Sequence, residues 1–79
     1  MKWKQAVKEA LRRYCVRHKS RTVVLHRLVE EEIGRIRRDT GTRGKTPEAT
    51  LRRELQELRP LGVVEFIDDH GTYKYLGEL

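Results

Sequence analysis

The chain has 79 residues, 38% of them charged, and a net charge of +6. That length reads as one domain over residues 1–79, with a small core and little room for the cleft and positioned polar groups of an enzyme. Both signs of charge are present and apolar residues recur periodically, which excludes a disordered polyelectrolyte.

Cys15 is the single cysteine, so no internal disulfide is expected, and a reducing, cytoplasmic setting is the simplest expectation. In a prokaryote that setting would include the nucleoid. No apolar run reaches membrane-spanning length, and the opening MKWKQAVKEAL lacks the apolar stretch of a signal peptide. The basic charge is concentrated. Residues 1–45 hold fourteen Lys/Arg against five Asp/Glu, a net of +9, and residues 46–79 hold four against seven, a net of −3. An excess gathered in one half suits a polyanionic partner.

In chain order, Trp3, Val7, Ala10, Leu11, Tyr14 and His18 recur at spacings of three and four and predict a helix over about residues 2–19. Its other face holds Lys4, Lys8, Arg12, Arg13 and Arg17, and Glu9 stands at i,i+4 spacing from Arg13. Thr22, Val23 and Val24 are β-branched and predict a short strand. A second helix, over about residues 25–38, carries the stripe Leu25, Leu28, Val29, Ile33 and Ile36. Glu30 to Glu32 precede Arg35, Arg37 and Arg38 along it, an order that complements the helix dipole.

Residues 39–45, DTGTRGK, read as a loop. Thr46 before Pro47 is an N-cap followed by proline at the first helical position, and Leu51, Leu55 and Leu58 mark the buried stripe of a third helix. Pro60 ends that helix. Val63 to Ile67 and Thr72 to Leu76 predict two strands joined by the turn Asp68-Asp69-His70-Gly71. The expected fold is therefore α+β, a winged helix-turn-helix of three helices plus a C-terminal β-hairpin.

Catalytic and metal constellations are weak. Cys15 and His18 lie three apart on a helix flank with no third orienting group, and His26 and His70 are distant in sequence. GTRGKT lacks the spacing of a phosphate loop. Asp68 and Asp69 are ordinary turn residues. No cofactor, no metal and no enzymatic activity are expected.

The third helix carries a different pattern. With Leu51 inward and about 100° per residue, Ala49, Arg53 and Gln56 fall on the far side, and Thr50, Arg52 and Glu57 flank them. Thr46, Ala49, Thr50, Arg53 and Gln56 are the residue types that read base edges. Thr and Ala touch a thymine methyl, Arg pairs with guanine and Gln with adenine. Arg21, Arg27, Arg43, Lys45, Arg52, His70 and Lys74 are the candidates for phosphate contacts.

The run TLRRELQELRPLGVVEFIDDHGTYKYL, through Leu55, Leu58, Arg59, Gly62, Glu65, Phe66, Gly71 and Tyr73, resembles the C-terminal winged-helix module of the methyladenine-dependent and Dam-replacing restriction endonucleases. The resemblance covers about the last thirty residues, and more loosely reaches back to Leu25. It implies sequence-directed binding of double-stranded DNA. Residues 1–45 do not resemble the nuclease part of that family, so cleavage is not implied.

The expectation is a non-catalytic DNA-binding protein, a small transcriptional regulator or a targeting module. It acts as a monomer or a homodimer and has no membrane partner. The alternative is a winged helix that serves as a protein-interaction scaffold in a nucleic-acid-processing assembly.

Overall fold

The computed structural model describes residues 2–41, 47–68 and 71–79. Three helices and three strands follow in the order α1 (Trp3–His18), β1 (Thr22–Val24), α2 (Leu25–Thr40), α3 (Pro47–Leu58), β2 (Val64–Phe66) and β3 (Thr72–Tyr75). The strands form one antiparallel sheet in the order β1-β3-β2. This is a small α+β domain of winged-helix-like topology, as the periodicities predict. Each expected element is present, with ends that differ by one or two residues.

The register explains how the two halves of the chain meet. Val23 pairs with Tyr73, and Phe66 pairs with Tyr73 on its other side, while Val64 pairs with Tyr75. Partners directly opposite one another share a face. Val23, Val64, Tyr73 and Tyr75 are all buried on the inner face, and the Phe66 ring meets Tyr73 edge-on at 5.1 Å. Both tyrosines of the alternating pattern are therefore in the core, and burial pushes both phenols above their ordinary pKa. The inner face closes against Ala6, Val7, Ala10, Leu11, Tyr14 and Cys15 of α1, Leu28 and Ile36 of α2, and Leu51, Leu55 and Leu58 of α3.

Helix ends are closed by left-handed residues. After α3, Gly62 at φ 76 lets the Val63 N–H reach the Leu58 carbonyl while its own N–H bonds Arg59. This pair of bonds satisfies carbonyls that the helix leaves open, and it turns the chain straight into β2. The same pair closes α1, where Ser20 donates to Cys15 and Lys19 to Val16. There the left-handed residue is Lys19, at φ 52, although its side chain disfavours that conformation. Gly71 lies at φ 88, and its carbonyl accepts a hydrogen bond from the Leu25 N–H, so the hairpin caps the start of α2.

Two placements differ from the sequence reading. His18 ends α1 beyond the edge of the core and is exposed; its ring lies 4.3 Å from Tyr14 and bonds Glu31. Arg13 does not turn to Glu9 but crosses to α2, where its Nε donates to Glu32 at 2.8 Å. Its Nη2 lies 2.7 Å from the same oxygen, within ion-pair range but out of line for a hydrogen bond. Arg17 bonds the other Glu32 oxygen at 2.5 Å and also reaches Glu31.

Glu32 is only 2% exposed, so its charge depends on those two guanidinium groups. Removing it leaves Arg13 without its carboxylate over the α1–α2 seam and leaves Arg17 only Glu31. Glu32→Ala is expected to lower the unfolding free energy by about 2–3 kcal/mol, below the fully buried range because both arginines reach water. Urea titration measures this, and an unchanged midpoint would show that the clamp contributes nothing. Relieving the left-handed strain by Lys19→Gly is expected to raise stability by about 0.5–1 kcal/mol in the same assay.

Candidate nucleic-acid interface

The third helix is held by one side only. Leu51, Leu55 and Leu58 are fully buried, and they fix which way the remaining residues point. Ala49, Arg52, Arg53 and Gln56 are exposed and Thr50 is half-buried. The face that the helical wheel places outward is thus open along two turns. Arg53 and Gln56 form no hydrogen bond or ion pair among the described residues. Arg52 leans back on Glu48, 3.6 Å away in an exposed i,i+4 pair that contributes little and leaves the guanidinium available.

The cations called for phosphate contacts divide by their surroundings. Arg27 is exposed on the first turn of α2 and has no partner among the described residues. Arg21 is held by the fold: its Nη1 donates to the Tyr75 carbonyl at 2.9 Å and the Gly77 carbonyl at 2.8 Å, tying β1 to the segment after β3. Lys74 is exposed in the middle of β3, directly between Thr22 and Glu65. Thr46, Arg43, Lys45 and His70 lie outside the described residues.

Three features of this region escaped the sequence reading, and two of them carried a signal. Glu32 continues the stripe Leu25, Leu28, Ile36 at spacings of three and four, so it falls on the buried face. Its partners Arg13 and Arg17 are themselves four apart on α1. Glu54 stands three residues after Leu51, about 60° from the inward direction, and is 8% exposed. Arg59, at the exit of α3, lies over the Phe66 ring at 4.6 Å, a cation–π contact that only the folded hairpin reveals.

The electrostatics of α3 are mixed. Its segment Pro47–Leu58 holds two arginines and three glutamates. Burial raises the Glu54 carboxyl above its ordinary value, and Glu57, which repels it and shares a hydrogen bond with it, adds to the rise. Arg53 and Lys4 work the other way. Across the α1–α2 seam, the His18 hydrogen bond holds the Glu31 carboxyl below its ordinary value, helped by Arg17.

Cys15 is buried, and that desolvation raises its thiol. Among the described residues no group of three or more His, Cys, Asp or Glu is placed to hold a metal. No helix among them is long and apolar enough to cross a membrane.

Glu54 gives a pH signature opposite to that of a salt bridge. A raised native pKa means that the folded chain keeps a proton which the unfolded chain has released. Stability then falls as pH rises from the ordinary carboxylate value towards the raised one, and the penalty is complete once the pH has passed the raised value. Glu54→Gln is expected to raise the thermal midpoint at pH 7, with a gain that shrinks as the pH is lowered to about 4. A gain of the same size at both pH values would show that desolvation of the charge is not its cause.

The chain matches no family model, no curated protein and no solved structure.

Proposed function

We propose that the protein binds duplex DNA without cleaving it, with α3 as the helix that enters the major groove. One observation carries the reading: a helix anchored by three leucines presents Ala49, Arg53 and Gln56 outward in a winged-helix-like domain of net charge +6. Small residues at the start of that face let the backbone approach the bases, and Arg53 and Gln56 supply bidentate hydrogen bonds further along. Arg27 and Arg52 lie outside the core on α2 and α3, where they suit phosphates and set affinity rather than sequence choice. The likeness of residues 50–76 to the winged-helix module of methyladenine-dependent endonucleases supports the same reading. In this role the protein serves as a small regulator or as a targeting module.

The acidic residues of α3 sharpen the proposal. Glu57 flanks Gln56 on the exposed side, so a tightly bound sequence places a cytosine amino group, not a phosphate, beside it.

Fluorescence anisotropy on random duplexes, and on duplexes selected from a random pool, tests the reading. The wild-type chain is expected to bind at low salt, with affinity that falls steeply as salt rises. Absence of binding at low salt overturns it. Arg53→Ala is expected to weaken the selected site by about 1–3 kcal/mol and random DNA far less. An equal loss on all sequences would move Arg53 to the phosphate class.

A further inference from the structure

The sheet has a second face that no element of the described chain covers. Thr22, Lys74 and Glu65 form its central row by register, and all three are exposed. On one side of that row Val24 pairs with Thr72, and Ile67 donates its N–H to the Thr72 carbonyl. On the other side Leu76 donates to the Val63 carbonyl. Alternation puts all of these side chains on the outer face. Ile67 is 52% exposed and Leu76 43%, while Val24 and Val63 are half-buried. Leu61, 61% exposed, lies two residues before Val63.

This face has a charge in its middle and apolar side chains at both ends. Lys74 and Glu65 stand opposite one another but close no ion pair among the described residues. A solvated sheet face needs no apolar residues at its ends, and a patch meant for a polyanion would not carry Glu65 beside its only cation among the described residues.

We propose that this outer face is the contact surface for a second copy of the chain. A two-fold axis lying between the two sheets, parallel to the strands and above the seam of β2 and β3, sets Lys74 on Glu65 of the second copy. The same axis sets Leu76 on the second Val63 and Thr72 on the second Ile67. Each contact occurs twice, as a self-complementary interface requires. The face complements itself in both charge and apolar position, which argues for a second copy over an unrelated partner.

The occupied area is small. The two overlapping strands span about 10 Å and five residues along them ~17 Å, well short of the ~800 Å² per partner of a standard stable interface. The dimer is therefore weak, and its population depends on concentration. Edge-to-edge pairing is disfavoured because β2 is a three-residue strand with Glu65 at its centre. The assignment moves Lys74 from a phosphate contact to the self-association surface, and it does not depend on the DNA reading.

Sedimentation equilibrium without DNA, from about 5 to 300 µM, tests it, with circular dichroism as the control for folding. Wild-type protein is expected to pass from monomer to dimer across that range. Lys74→Glu leaves the face with two acids and Glu65→Lys leaves it with two bases. Each alone is expected to raise the dimer dissociation constant at least tenfold.

An equimolar mixture of the two variants is expected to recover the dimer as a mixed pair, which no effect inside one chain produces. Ile67→Lys is expected to weaken the dimer without altering the central charges. A wild-type chain that stays monomeric throughout overturns the proposal. So does a mixture that stays monomeric, or a pair of variants that dimerise as well as wild type.

Discussion

The pairing of Thr22–Val24 with Thr72–Tyr75 holds the two ends of the chain together. It joins residues about fifty positions apart, and the rest of the arrangement follows from it. With β1 fixed on β3, the Tyr75 N–H bonds the Arg21 carbonyl and the Arg21 side chain bonds back to Tyr75 and Gly77. One residue beyond β1, the Leu25 N–H is capped by Gly71. The end of α1 and the start of α2 are thereby set against the hairpin, and the inner-face tyrosines close over the helices. Local contacts alone would leave α1 and α2 as a helical pair and the hairpin as a two-stranded ribbon, which is marginal in water. The third strand turns that ribbon into a sheet with one buried face.

Charge is used inside the molecule before it is available outside. Five of the described groups, Arg13, Arg17, His18, Glu31 and Glu32, form one network across the α1–α2 seam. Only Glu32 in it is fully desolvated, so the network is a clamp around one buried carboxylate. The +9 of the first 45 residues already subtracts Glu31 and Glu32, so the clamp leaves the net field intact and removes Arg13 and Arg17 only as direct contacts for a polyanion. Arg13 and Arg17 are matched within the fold, and Arg21 is spent on main-chain carbonyls. The cations that remain on the surface, such as Lys4, Arg12, Arg27 and Arg53, are spread over three helices. Under the proposed function, attraction to DNA acts over the whole domain and orients it weakly, and orientation falls to α3.

The fold was legible because its signals are local. Periods of three and four gave the helices, Thr46-Pro47 gave the start of α3, and alternation in Thr72–Leu76 gave β3. The outward residues of α3 were legible for the same reason, since three leucines fix a helix's rotation without any tertiary information. What stayed hidden depends on which elements meet. Whether Arg13 faces Glu9 or Glu32 is decided by the packing of α1 on α2. Whether Arg21 faces solvent or the Tyr75 carbonyl is decided by β1 pairing with β3, and no periodicity encodes that pairing. Glu32 and Glu54 lay on apolar stripes by spacing, but their residue type argued for the surface. A buried carboxylate is legible only with its partners in view.

Because the inner stripe of α3 and the inner face of the sheet share one core, the outward faces of both point away from it. A groove-reading helix and a self-association face therefore occupy different surfaces and do not compete. Their energies are linked all the same. Under both proposals, a two-fold pair carries two α3 helices related by its axis, and one duplex engages both only where its half-sites share that symmetry and spacing. On such a duplex the bound copy would raise the effective concentration of its neighbour, adding to an association that already reaches the dimer in free solution at high concentration.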